Sequence, residues 1–152
     1  MAGRATALEV KSGREGLVGP RSAAELGVAP AGSLGRHDVV VANCASGVNF
    51  KDVLVALNYV PRDGALGLEC CGRVTAVGAD VTRFVVGESV FGLAIGTLQS
   101  HTVTHESLLV HRPATLSATD AAGQPVVFAT AIHALDVLAH IARGERVLVH
   151  AA

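Results

Sequence analysis

The sequence predicts a mainly β fold with short helices, and three observations point to it. Apolar residues make up 50% of 152 positions at a mean hydropathy of +0.46, yet they fall in short Val, Leu and Ala segments divided by glycines. Val39-Val40-Val41-Ala42 is a β-branched run of the kind that forms strands. Cys70 to Val77 reads as a second strand, interrupted at Gly72 and closed at Gly78. A glycine inside a strand marks a bulge or another backbone passing close by. A chain of this length is about one domain and can bury a core.

Taken in order, Ala5 to Val10 reads as a strand. Ser12 to Arg36 is rich in Gly, Ala, Pro and Ser and reads as loop, with one helical turn at Ala23 to Leu26. After the Val39–Ala42 strand, Asn49 is placed to cap a short helix over Asp52 to Leu57. Pro61 to Gly64 make a turn. Leu68 and Glu69 lead into the Cys70–Val77 strand, and a carboxylate there needs a hydrogen-bond partner or a ligand. Val81–Val85 and Ser89–Leu93 follow as short strands split by a turn at Val86-Gly87-Glu88. Leu98 to Thr104 alternates polar and apolar as a half-exposed strand does, and Glu106 to Val110 gives another, stopped by Pro113. Thr119 caps a helical start over Thr119–Ala122. Pro125 to His140 is the longest helical stretch, with Gly144 as its C-cap. Glu145 to His150 reads as a final strand.

Composition excludes several function classes. Twelve basic and thirteen acidic residues nearly cancel, so the chain has neither a nucleic-acid footprint nor a polybasic membrane patch. Aromatics are too few for base-stacking platforms. No apolar run approaches the roughly 18 to 20 residues of a membrane span. Cys44, Cys70 and Cys71 are odd in number and two are adjacent, which argues against a disulfide framework. They are expected to be free, small buried hydrophobes in a reducing compartment. With no signal-peptide core, the protein is expected to be cytoplasmic. His101 and His105 lie four apart, but on strand and turn rather than on a helix. His133 and His140 are seven apart, and His37, His111 and His150 stand alone. No metal site is expected.

The order G-x-E-x-x-G-x-V-x-x-V-G over Gly67–Gly78, followed by G-E-x-V at Gly87–Val90, resembles the GroES-like catalytic domain of medium-chain dehydrogenase/reductases. Zinc-dependent members carry a metal-ligating His before the Glu. Here that place is Leu68, which puts the resemblance with the zinc-independent branch. Asn49-Phe50-Lys51-Asp52-Val53-Leu54, Pro125-Val126-Val127-Phe128-Ala129-Thr130-Ala131 and Gly144-Glu145-Arg146-Val147-Leu148-Val149-His150 sharpen it. From about Val39 onward the chain resembles the enoyl reductase domain of polyketide synthases and multifunctional fatty acid synthases. A quinone oxidoreductase fragment and a non-catalytic GroES-like structural or interaction module are the alternatives.

The resemblance implies a bilobed protein with a GroES-like β-barrel lobe beside a Rossmann domain and NADPH between them. It implies three parts: 1–38 a poorly defined N-terminal segment, 39–123 the substrate-side lobe, and 124–152 a connecting helix and the first strand of an incomplete nucleotide-binding domain. The glycine-rich turn that holds the cofactor pyrophosphate would follow that strand, so this piece alone is expected to be inactive. It also implies an acyl-phosphopantetheine substrate on an acyl carrier protein, the remainder of a synthase as partner, and self-association through the uncovered face. Asn49, Phe50 and Lys51 should line the nicotinamide end of the cleft, with Thr130 touching the cofactor. Many family members have a Tyr proton donor at the position that is Val60 here. The one tyrosine, Tyr59, is the donor candidate, displaced by a residue and so turned by about 100° if helical.

Overall fold

In the computed structural model the described residues are 9–10, 17–18, 34–60 and 66–150. Glu9–Val10 (β1) pairs antiparallel with Leu17–Val18 (β2). The expected strand from Ala5 is therefore described only in its last two residues. The helical turn at Ala23 to Leu26 and the turn at Pro61 to Gly64 lie outside the described residues.

Five strands form the main sheet: Asp38–Gly47 (β3), Glu69–Val77 (β4), Ser89–Leu93 (β5), His101–His105 (β6) and Leu109–His111 (β7). Their order is β6-β3-β4-β5-β7, and every neighbouring pair is antiparallel. The register of β3 against β4 shifts at Val40/Val41 and at Asn43/Ala45. Gly72 lies across from the second shift, where a methyl group would overlap the Ala42 carbonyl. The interrupted strand is thus a site of close backbone approach.

Period-2 alternation sends adjacent cysteines to opposite faces of the sheet. Cys70 joins Val39, Val41, Val74, Phe84, Val90, Ala94 and Leu109 on one side. Cys71 packs on the other with Ala121 and Ala122 of the helix Ala118–Ala122 (α2), beside Ala45 and Phe91. Burying each large aliphatic or aromatic member contributes about 1.5–3 kcal/mol. Cys70 and Cys71 are free and buried, as expected, whereas Cys44 is exposed. It sits at the β3 register shift, and its thiol donates to the Cys71 carbonyl at 3.2 Å.

Several elements depart from expectation for identifiable reasons. Val81–Val85 is not a strand, because side chains claim its amides. Thr82 and Arg83 N–H groups donate to Glu106 Oε2 at 3.3 Å each, and Val85 N–H donates to Glu88 Oε2 at 2.9 Å. Arg83 donates in turn to the Glu106 carbonyl at 2.9 Å and lies over the Phe84 ring. The strand expected from Leu98 begins at His101. Glu106–Leu108 is a 3-10 turn in place of a strand start, with Ser107 N–H donating to the His105 ring at 3.2 Å. Ser117, not Thr119, caps α2, accepting from Asp120 N–H at 3.1 Å.

The long helix is α-helical only over Pro125–Ile132 (α3) and widens to a π turn over His133–Leu138. Ala139 N–H reaches Ala134 O at 3.0 Å, and His140 at φ 50° ends the run. Gly144, at φ 95°, belongs to a separate turn and is not the helix C-cap. Glu145 to His150 is not a strand, since no described strand pairs with it, and Val147, Leu148 and Val149 are exposed. Among the described residues no helix is long and apolar enough to cross a membrane.

Candidate functional site

The helix Phe50–Ala56 (α1) begins where Asn49 leaves β3 in an extended conformation. Asp52 accepts from Asn49 N–H at 2.9 Å with one carboxylate oxygen and from Gly67 N–H at 2.8 Å with the other. The expected cap position at Asn49 is therefore correct, and the N-x-x-D spacing locks it. The Asn49 side-chain amide donates to Glu69 Oε1 at 3.1 Å, while Glu69 Oε2 accepts from Val126 N–H at 2.9 Å. Glu69 is buried, and these bonds are the partners its position demanded. One carboxylate thus joins the starts of α1, β4 and α3.

Beside this junction runs an open groove of about 530 Å3. Leu68, Leu93, Ile95 and Val103 line it together with Val126, Ala129 and Thr130 of α3. Its wall is almost wholly carbon, in the size range of small-ligand sites. Leu68 faces this apolar space. Among the described residues no group of three or more His, Cys, Asp or Glu is placed to hold a metal ion.

The predicted site residues divide between two places. Thr130 lines the groove, its hydroxyl donating to Val126 O at 2.7 Å. Asn49 does not line it; its amide is tied through Glu69 to Val126, which does. Phe50 and Lys51 are exposed on the first turn of α1. Phe50, Val53 and Leu57 form an outward apolar stripe at i, i+3 and i+7. Tyr59 follows Asn58, which turns the chain at φ 61°. Tyr59 as a residue is 76% exposed and does not line the groove. Sequence reading missed Leu93, Ile95 and Val103. Their only sequence signal was apolarity, which core residues share.

Thiol chemistry is suppressed at the centre of the sheet. Burial first, then the neighbouring Cys71, pushes the Cys70 thiol up to about 12. Burial first, then Cys44, pushes Cys71 up to about 11. Glu106 is held below its ordinary range, chiefly by its hydrogen bond from His37 at 2.9 Å.

The sheet order, the glycine-rich central strand, the capped helix that follows β3 and the apolar groove bordered by α3 describe a GroES-like fold. Residues 35–114 match the family described as the alcohol dehydrogenase GroES-like domain, and the chain belongs to that family. The spectinabilin polyketide synthase system protein NorB of Streptomyces orinoci is 42% identical over 90% of this chain, which spans 7% of it. The CurK enoyl reductase crystal structure superposes with a TM-score of 0.80 at 28% identity, covering 95% of this chain and 46% of its own. A mycobacterial protein solved in complex with NADPH has a TM-score of 0.70 at 25% identity, covering 93% and 43%. These similarities place the chain with the enoyl reductase domains of polyketide synthases within the medium-chain dehydrogenase/reductase superfamily.

Proposed function

We propose that the chain is the substrate-side part of an NADPH-dependent enoyl-thioester reductase, acting on acyl chains carried by an acyl carrier protein during polyketide or fatty acid synthesis. Residues 39–123 would form the substrate lobe, and 124–152 the link to a nucleotide-binding domain. The observation that carries this reading is the apolar groove at Leu68, bordered by α3, where the resemblance places a metal ligand in zinc-dependent relatives. A carbon-walled groove suits an acyl chain.

One end of NADPH would lie against this chain. Asn49, Phe50 and Lys51 would border the nicotinamide, and the Thr130 hydroxyl would face it from α3. The start of α3 cannot seat the pyrophosphate, because Glu69 already occupies the Val126 N–H with a negative charge. When bound, the cofactor supplies a hydride to the β-carbon of the enoyl thioester. Tyr59, exposed and outside the groove, remains the chain's candidate to hold the proton destined for the α-carbon only if the thioester end of the substrate extends beyond the groove to it.

The test is oxidation of NADPH by a 2-methylcrotonyl thioester, followed at the nicotinamide absorbance. The chain alone is compared with the chain joined to the nucleotide-binding half of a related enoyl reductase. Turnover only in the joined form supports the reading, and Tyr59→Phe should then cost about 100-fold or more in rate. An unchanged Tyr59→Phe rate moves the proton donor elsewhere. Turnover in neither form would favour the non-catalytic module instead.

A further inference from the structure

We infer that Glu69 is a positioning residue of the candidate site. Its carboxylate ties the Asn49 amide to the first turn of α3, and so sets where α3, which lines the groove, stands against Leu68. This rests on the reading of the groove as the acyl site, but its test does not.

The argument begins with burial. Glu69 is 3% exposed, and a carboxylate out of water is retained only if its oxygens are satisfied. Both are, at 3.1 Å by Asn49 Nδ2 and at 2.9 Å by Val126 N–H. The partners come from separate elements, 20 residues before and 57 residues after it. A carboxylate is acceptor-only, so it orients the Asn49 amide with its nitrogen inward, which a glutamine at this place would not enforce.

The second support is that α3 lacks other anchorage. None of its residues is buried, so apolar packing holds it weakly and a charge-assisted bond at its first turn matters more. That turn carries Val126, and the next carries Ala129 and Thr130, which form one groove wall. Leu68, which lines the same groove, is the residue before Glu69. The third support is steric. A methyl at Gly47 would collide with the Glu69 side chain, so β3 leaves room for the carboxylate at the β4 terminus.

The experiment uses the 152-residue chain with Glu69→Ala, Glu69→Gln and Glu69→Asp, read by amide hydrogen exchange and by the Asn49 side-chain NMR signals. In Glu69→Ala, exchange at Val126 should accelerate about tenfold to a hundredfold while Val41 and Val74 keep their protection. Glu69→Gln retains one acceptor oxygen. It should keep Val126 protected within about threefold yet displace the Asn49 side-chain signals as that amide inverts or loses its partner. Glu69→Asp, one methylene shorter, should lose one of the two ties.

Unchanged Val126 exchange in a folded Glu69→Ala chain overturns the proposal. So does equal acceleration at Val41 and Val74, which would make Glu69 a general stability residue. If Glu69→Ala does not fold, the Gln and Asp variants decide by the same signals, and unmoved Asn49 signals in both overturn it. Titration with the N-acetylcysteamine thioester of 2-methylcrotonate adds a separate reading. Wild-type chain should show shifts at the Leu68, Val126 and Ala129 methyls, weakened about tenfold or more in Glu69→Asp. Absence of shifts in the wild type would sink the acyl-groove reading, while the exchange data would still decide the tie.

Discussion

The two buried thiols should be chemically silent in the folded chain, and the size of the effect follows from their surroundings. At pH 8 a thiol with a pKa near the ordinary value of about 8.5 is roughly one quarter ionised. With Cys70 pushed to about 12 and Cys71 to about 11, the thiolate fractions fall to about one in ten thousand and one in a thousand. Iodoacetamide reacts with the thiolate, so alkylation should slow by about 2,000-fold and 200-fold before any steric protection is counted. Both side chains are 0% exposed, which slows them further. Cys44 is exposed at the bulge and should react first. Intact-mass spectrometry at pH 8 should therefore show one adduct per native chain on the time scale that yields three in guanidinium. The rate of any second adduct should rise about tenfold per pH unit. Three adducts at comparable rates in the native chain would refute the burial argument. A second rate independent of pH would show that opening of the sheet, not ionisation, controls access.

Other outcomes follow from the same structure. Phe84→Ala removes a ring that is 2% exposed and should cost about 3–5 kcal/mol, read as a lowered denaturant midpoint with m unchanged. Glu106 binds its proton less readily folded than unfolded. Its stabilising contribution is thus complete above the unfolded pKa and lost as pH falls through the lower folded one. Melting temperature should accordingly drop more steeply below about pH 5 in wild type than in Glu106→Gln; parallel acid limbs would contradict that. Ile95 is 72% exposed yet borders the groove. Ile95→Asp should leave melting within about 2 °C, since it is a surface change of about ±0.5 kcal/mol. The same change should weaken thioester binding at least about tenfold, and unaltered binding would remove the groove's acyl assignment.

Much of the local plan was legible because it rests on short-range chemistry. The Val39–Ala42 run, the glycine-broken strand at Cys70–Val77 and the Asn49/Asp52 cap all declare themselves within a few residues. The misread segments are those whose backbone groups are satisfied from far away. Val81–Val85 has strand composition, but its amides are claimed by Glu106, more than twenty residues along. Glu145–His150 has a strand's pattern, but a strand exists only against a partner, and none among the described residues pairs with it. Pro125–His140 carries helical spacing to its end, yet the last part widens into a π turn where no packed face holds the tighter winding.

The candidate site divides along the same line. Sequence alone determined the glycine pattern, the capped helix and the unpaired state of the cysteines, since each depends on residue type and spacing. Only the tertiary structure decided that Glu69 spends its charge on Asn49 and Val126, that Cys44 is exposed while its neighbours are sealed, and that Thr130 borders a groove while Tyr59 stands outside it. Those outcomes depend on which surfaces meet when β4, α1 and α3 converge, and burial and hydrogen-bond satisfaction are properties of that meeting rather than of any one segment.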